Sequence, residues 1–148
     1  MDETPYQFEQ PTTEIRYDFV SISQEKEVAK RVSFTASNYQ NIYNLALLDV
    51  SESGETSNIT ESRNKDMKTV LATVVKIVED FLNKNSQNIV VFKGSDERRH
   101  RLYRLVIAQE LKEIQQSFHV FGSINELQNP EPFRADEPYE YFIITKKR

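Results

Sequence analysis

Cysteine is absent from this 148-residue chain, and its absence removes three kinds of chemistry. No disulfide framework, thiolate nucleophile or cysteine-based zinc site can be built. Histidine occurs only at His100 and His119, too few for a histidine-rich metal site, and no cofactor is expected. Three glycines leave no G-x-x-x-x-G-K-[ST] phosphate loop. Nucleophile-elbow, kinase and H-E-x-x-H signatures are missing too, so the catalytic inventory is thin. No apolar run approaches the roughly 20 residues that span a bilayer. The acidic opening, MDETPYQFEQPTTE, lacks the basic and apolar regions of a signal peptide. The expectation is a soluble, cytoplasmic protein with no membrane contact.

What is present supports a core. Sixteen aromatics (nine Phe, seven Tyr) and a 38% apolar share argue against wholesale disorder. This length suits one domain. Residues 1–13, with Pro5 and Pro11, read as a flexible arm, and residues 14–148 as a single domain. Net charge is −4 but uneven. Seven acids face two bases between Asp2 and Glu27, whereas Lys93 to Arg104 holds five bases against Asp96 and Glu97. One basic island in an acidic chain suits a local anion site better than a general nucleic-acid coat.

Period-2 alternation marks strands at Ile15–Ser23, where Val20 and Ile22 shift phase as if at a bulge, and at Val28–Thr35 with Val32 and Phe34 on one face. Gln24 to Glu27 makes a polar connection between them. Tyr39 to Val50 is a third strand, apolar on both faces at Leu45–Leu48 and therefore central. A short helix competes there, because so brief a run does not settle the period. Ser51 to Ser62 reads as an exposed loop or hairpin. Met67, Val70, Leu71, Val74, Val75, Ile77, Val78, Phe81 and Leu82 share one arc of a helix over 65–84, with Asn64 as N-cap and Asp66 in its first turn. Ile89 to Phe92 is an uninterrupted apolar strand, buried on both faces. Ser95 caps a second helix reaching about Ser117. Phe118–Phe121, broken by Gly122, and Tyr139–Thr145 complete the set, with a proline-containing loop over 123–137. The order βββ-α-β-α-ββ gives an α+β fold, a mostly antiparallel sheet of about six strands with two helices.

Three blocks carry a family resemblance: Asn44-Leu45-Ala46-Leu47-Leu48-Asp49, then Asp66 to Val74, then Gly94-Ser95 with Arg99-His100-Arg101-Leu102-Tyr103-Arg104. With Phe118-His119-Val120-Phe121-Gly122 and the closing aromatic strand, the chain resembles small uncharacterised proteins, mainly from Bacteroidetes, of the DUF6934 type. The resemblance covers nearly everything past Ile15. Members usually carry Gly-Asp where this chain has Leu48-Asp49, and Asn-Asn-Gly-Asp where it has Arg63-Asn64-Lys65-Asp66. The family implies which positions matter and supplies no activity.

The chemistry concentrates between Ile89 and Ile107. Gly94-Ser95 before a helix can offer backbone N–H groups to an anion, or form merely a turn and a cap. The wheel turns Arg99 inward with Leu102, Tyr103, Val106, Ile107 and Ile114, and a buried guanidinium needs acceptors. Asp49 and Asp66 are its candidate partners in a structural ion pair, with a ligand role as the rival. Lys93, Gly94, Ser95, Arg98, Arg101, Tyr103 and Arg104 form the candidate binding set, for a phosphorylated molecule or a nucleic acid with Tyr103 stacking on a base. A solvated charged face is the plain alternative. His100 and Tyr103 are weak catalytic candidates for a small metal-independent nuclease, although His100 also fits a packed, hydrogen-bonded histidine. A protein partner, as in a toxin–antitoxin or defence pair, would use the acidic loops at 51–62 and 126–137 or a sheet edge. The favoured reading is a binding domain rather than an enzyme.

Overall fold

The computed structural model describes residues 14–22, 27–51, 53, 55–57, 67–125 and 128–148. Strands β1 (Glu14–Ile22), β2 (Glu27–Ala36) and β3 (Ile42–Val50) form an antiparallel meander, and the two-residue β4 (Thr56–Ser57) pairs with the end of β3. Helix α1 (Met67–Lys84) leads to β5 (Ile89–Phe92), and α2 (Glu97–Ile114) leads to β6 (Phe118–Ser123). The two-residue β7 (Glu131–Pro132) and β8 (Tyr141–Lys146) follow. All join one sheet in the order β1-β2-β3-β5-β8-β6-β7, with β4 beside β3. Every pairing is antiparallel except β3 with β5. A parallel neighbour requires a long crossover, and α1 supplies it. The fold is α+β, and the expected βββ-α-β-α-ββ order holds, with β4 and β7 added.

One buried cluster unites both helices with one face of the sheet, including Val32, Phe34, Leu45, Val90, Phe92, Val120, Phe142 and Ile144. The apolar arc of α1 is buried as its spacing requires, with Phe81 stacked on Phe34 at 4.1 Å between centroids. Each such side chain contributes about 1.5–3 kcal/mol by leaving water. Asn64 and Asp66, the anticipated start of that helix, lie outside the described residues, as does most of the Gln24–Glu27 connection. β5 is covered as expected, with Val91 buried on the far face and Val90 and Phe92 beneath the helices.

Three sequence expectations change. β1 pairs with β2 in an unbroken register, without a bulge. Buried Ser21 takes the inward place, leaving Val20 51% and Ile22 65% exposed. The third strand starts at Ile42, because Ser37 to Asn41 form a turn closed by the bond from Ser37 N–H to Ile42 O, 2.9 Å. β6 runs through Gly122, which pairs with Phe142. The glycine makes room instead of ending the strand, since a Cβ there would lie 2.3 Å from the Tyr139 ring. Among the described residues, no helix is long and apolar enough to cross a membrane.

Candidate functional site

Beyond Phe92 the chain turns through Lys93, Gly94 and Ser95 into α2. The N-cap is Asp96, whose carboxylate accepts from Arg99 N–H at 2.8 Å. That corrects the expectation for Ser95. Both residue types suit a cap, but the extended backbone of Asp96 (φ −146°, ψ 173°) aims its carboxylate at the third N–H of the helix. Ser95 Oγ is left to accept from Arg99 Nη1 at 2.6 Å. The positive end of the helix therefore already meets a carboxylate of its own chain, and the simple Gly-Ser phosphate cradle does not form.

Gly94 lies directly on the first turn of α2. A Cβ there would come 2.3 Å from the backbone N and 2.5 Å from the Cα of His100, so no side chain fits. Its N–H donates to His100 Nδ1 at 3.0 Å, and His100 Nε2 lies 2.7 Å from the Tyr139 carbonyl. A ring nitrogen that accepts an amide proton carries a lone pair, which assigns the proton and the donor role to Nε2. The imidazole also stacks on Phe142 at 4.7 Å. Both nitrogens are used in holding the turn, β8's approach and α2 together, and neither is left to act as a general base.

The arginines divide as the wheel suggests. Arg99 is buried (5% exposed), Arg98 and Arg101 are exposed, and Arg104 is half-buried. Asp49, however, does not pair with Arg99. Its carboxylate accepts from Lys30 Nζ at 2.6 Å, and Lys30 is fully buried. The two face each other across β2 and β3, because Lys30 and Asp49 are register partners. Sequence reasoning missed Lys30, although the signal was there: Val32 and Phe34 point inward, and alternation carries that face back to residue 30. Asp66 is outside the described residues.

Tyr103 also departs from expectation. It is 2% exposed, edge-on to Phe92 at 5.1 Å, and cannot stack on a base. Burial pushes its phenol well above the ordinary tyrosine value, with the Arg99 charge opposing. Among the described residues its hydroxyl makes no hydrogen bond.

Two recesses meet at this turn. The outer one, about 400 Å³, gathers Lys93, Arg101 and Arg104, but also Asp96, Glu97 and Glu140. The inner one, about 280 Å³, lies between the turn and β3. Lys93, Ser95, Arg99 and Tyr103 line it with Leu45 and Leu47, and among the described residues no carboxylate does. Lys93 belongs to both, its ammonium 5.0 Å from the Tyr141 ring centroid. Arg98 borders neither. The predicted set is thus split: Gly94 and His100 build the turn, Arg99 and Tyr103 are buried, Ser95 lines both recesses, and Arg101 and Arg104 line the outer one. No group of three or more His, Asp or Glu able to hold a metal occurs among the described residues.

No curated protein and no solved structure matches the chain. The profile of a family of unknown function does, over residues 2–147, and this span takes in the whole junction. The chain belongs to that family, DUF6934.

Proposed function

We propose that the protein is a binding domain for a small phosphate-bearing ligand, received in the inner recess at the β5–α2 junction. The observation that carries this reading is the Tyr103 hydroxyl, buried and unbonded among the described residues, in a recess whose described lining includes Lys93 and Arg99. A buried hydroxyl without a partner is costly, and a ligand oxygen would relieve that cost. Lys93 and Ser95 add donors, and Leu45 and Leu47 offer an apolar wall to the rest of the ligand. The outer face, where acids balance Arg101 and Arg104, supports a long phosphate backbone less well. Support for the nuclease reading falls away with the two engaged nitrogens of His100.

Calorimetric titration with inorganic phosphate and pyrophosphate tests this. Saturable binding that weakens about fivefold to tenfold in Tyr103→Phe, and is unchanged in Arg101→Glu, is the expected result, corresponding to one net hydrogen bond of roughly 1 kcal/mol. Absence of saturable binding refutes the proposal. Binding of RNA or DNA that falls steeply with salt and is lost in Arg101→Glu would replace it with the nucleic-acid reading. A second reading, a protein partner, draws support from β1, an edge strand with Val20 and Ile22 exposed.

A further inference from the structure

The opposite end of β5 carries a different recess, of about 400 Å³. α1 ends at Lys84, and the chain turns through residues 85–88. Asn85 fixes that turn, its carbonyl accepting from Asn88 N–H at 3.1 Å and its side-chain oxygen from Gln87 N–H at 3.3 Å. Beside the turn the sheet register aligns Ile89 with Thr145, and Thr145 with His119. Lys146 and Arg148 continue from β8 over the same hollow.

We infer that this recess is a second anion site, built for a phosphate-type oxyanion and separate from the junction described above. Two independent observations support it. His119, Lys146 and Arg148 line it, no Asp or Glu side chain among the described residues does, and neither Lys146 nor Arg148 makes an ion pair among the described residues. Several other exposed cations of this acidic protein are paired, as in Arg31–Asp18, Lys84–Asp80 and Arg134 with Glu131 and Glu137. Uncompensated cations sharing a hollow attract an anion and raise its local concentration. The second observation is Asn88, which lines the recess, is only 4% exposed, and whose carboxamide has no hydrogen bond among the described residues. Its NH₂ is a donor held out of water, and an oxyanion supplies the missing acceptor. The Ser86 and Thr145 hydroxyls add neutral donors. The Lys146 ammonium lies over the Phe118 ring, 4.8 Å from its centroid. At about 3.3 Å per residue, Asn88 and Lys93 stand roughly 16 Å apart along the strand, too far for one small anion to serve both ends.

The test uses the full ¹⁵N-labelled chain titrated with inorganic phosphate at constant ionic strength. Saturable shifts of the Gln87, Asn88 and His119 amides are expected. They should weaken at least tenfold in the double variant Lys146→Gln/Arg148→Gln, whose intact fold is read from unchanged amide shifts in α1 and α2 before phosphate is added. Asn88→Asp, which places a carboxylate in the hollow, should abolish them. Shifts that stay linear in phosphate, or a double variant that binds like the parent, overturn the inference. Saturation confined to Gly94 and Ser95 also overturns it, while leaving the junction reading standing.

Discussion

Replacing Tyr103 by phenylalanine removes one oxygen and little else. The ring keeps its contacts with Phe92, 5.1 Å away, and Phe142, 6.5 Å away. The hydroxyl it loses is buried and has no described hydrogen-bond partner. Leaving such a group unmet costs about 1–3 kcal/mol. The inner recess beside it lowers that cost by admitting solvent, so Tyr103→Phe should stabilise the ligand-free protein by about 0.5–1.5 kcal/mol. For a domain of this size that is roughly 1–6 °C in Tm. Tyr139 provides the opposite control. Its hydroxyl donates to Glu131 Oε2 at 2.7 Å and accepts from Arg134 N–H at 3.1 Å. Tyr139→Phe should therefore destabilise by about 1–2 kcal/mol. Urea unfolding of the three proteins, compared at equal m-value, measures both signs. A loss of more than about 0.5 kcal/mol in Tyr103→Phe would mean that the hydroxyl is already satisfied, and the ligand argument built on it would fall.

Two further outcomes are expected. Asp49→Ala strands the fully buried Lys30 ammonium without its carboxylate and should cost about 3 kcal/mol, while Lys30→Met/Asp49→Leu should restore most of that loss; a cost under about 1 kcal/mol in urea unfolding would refute a dependent pair. Glu131 is held below the ordinary glutamate value of 4.5, first by the Tyr139 hydroxyl and also by Arg134. Its stabilising contribution is complete above that value and is lost as pH falls through the depressed folded value, so a Tm profile below about pH 4.5 should be flatter in Glu131→Gln than in the parent, and parallel profiles would refute the linkage.

Local spacing made much of this molecule readable. The arc from Met67 to Leu82, the apolar run of β5 and the inward placement of Arg99 each follow from a period of 3.6 or from a strand covered on both sides. Choices between equivalent chemistries were not readable. Ser95 and Asp96 are both good caps, and the backbone angles of one residue decide between them. Tyr103 can present a wet edge or a buried ring, and β5 and β8, distant in sequence, close over it with Phe92 and Phe142. Alternation also does not say which strands become neighbours, so the parallel β3–β5 pairing was not foreseen. Lys30 is the mixed case: its face followed from alternation, but a lysine invites placement in water.

The parallel seam also bears on how the chain is made. β1 with β2 and β2 with β3 are long antiparallel ladders between sequence neighbours, whereas β3 meets β5 through Ile42–Ile89, Tyr43–Val90 and Asn44–Val91 only. Ile89 follows Ile42 by 47 positions. At a ribosomal pace of about 5–20 residues per second, β3 waits on the order of 2–10 s for its partner. During that interval the backbone of Ile42 to Asn44 has no neighbour on that side, and only Asp49 and Val50 are covered by β4. An open strand edge beside apolar Leu45 and Leu47 is a template for pairing with another nascent chain. The arrival of β5 thus ends the period in which this protein is most exposed to aggregation.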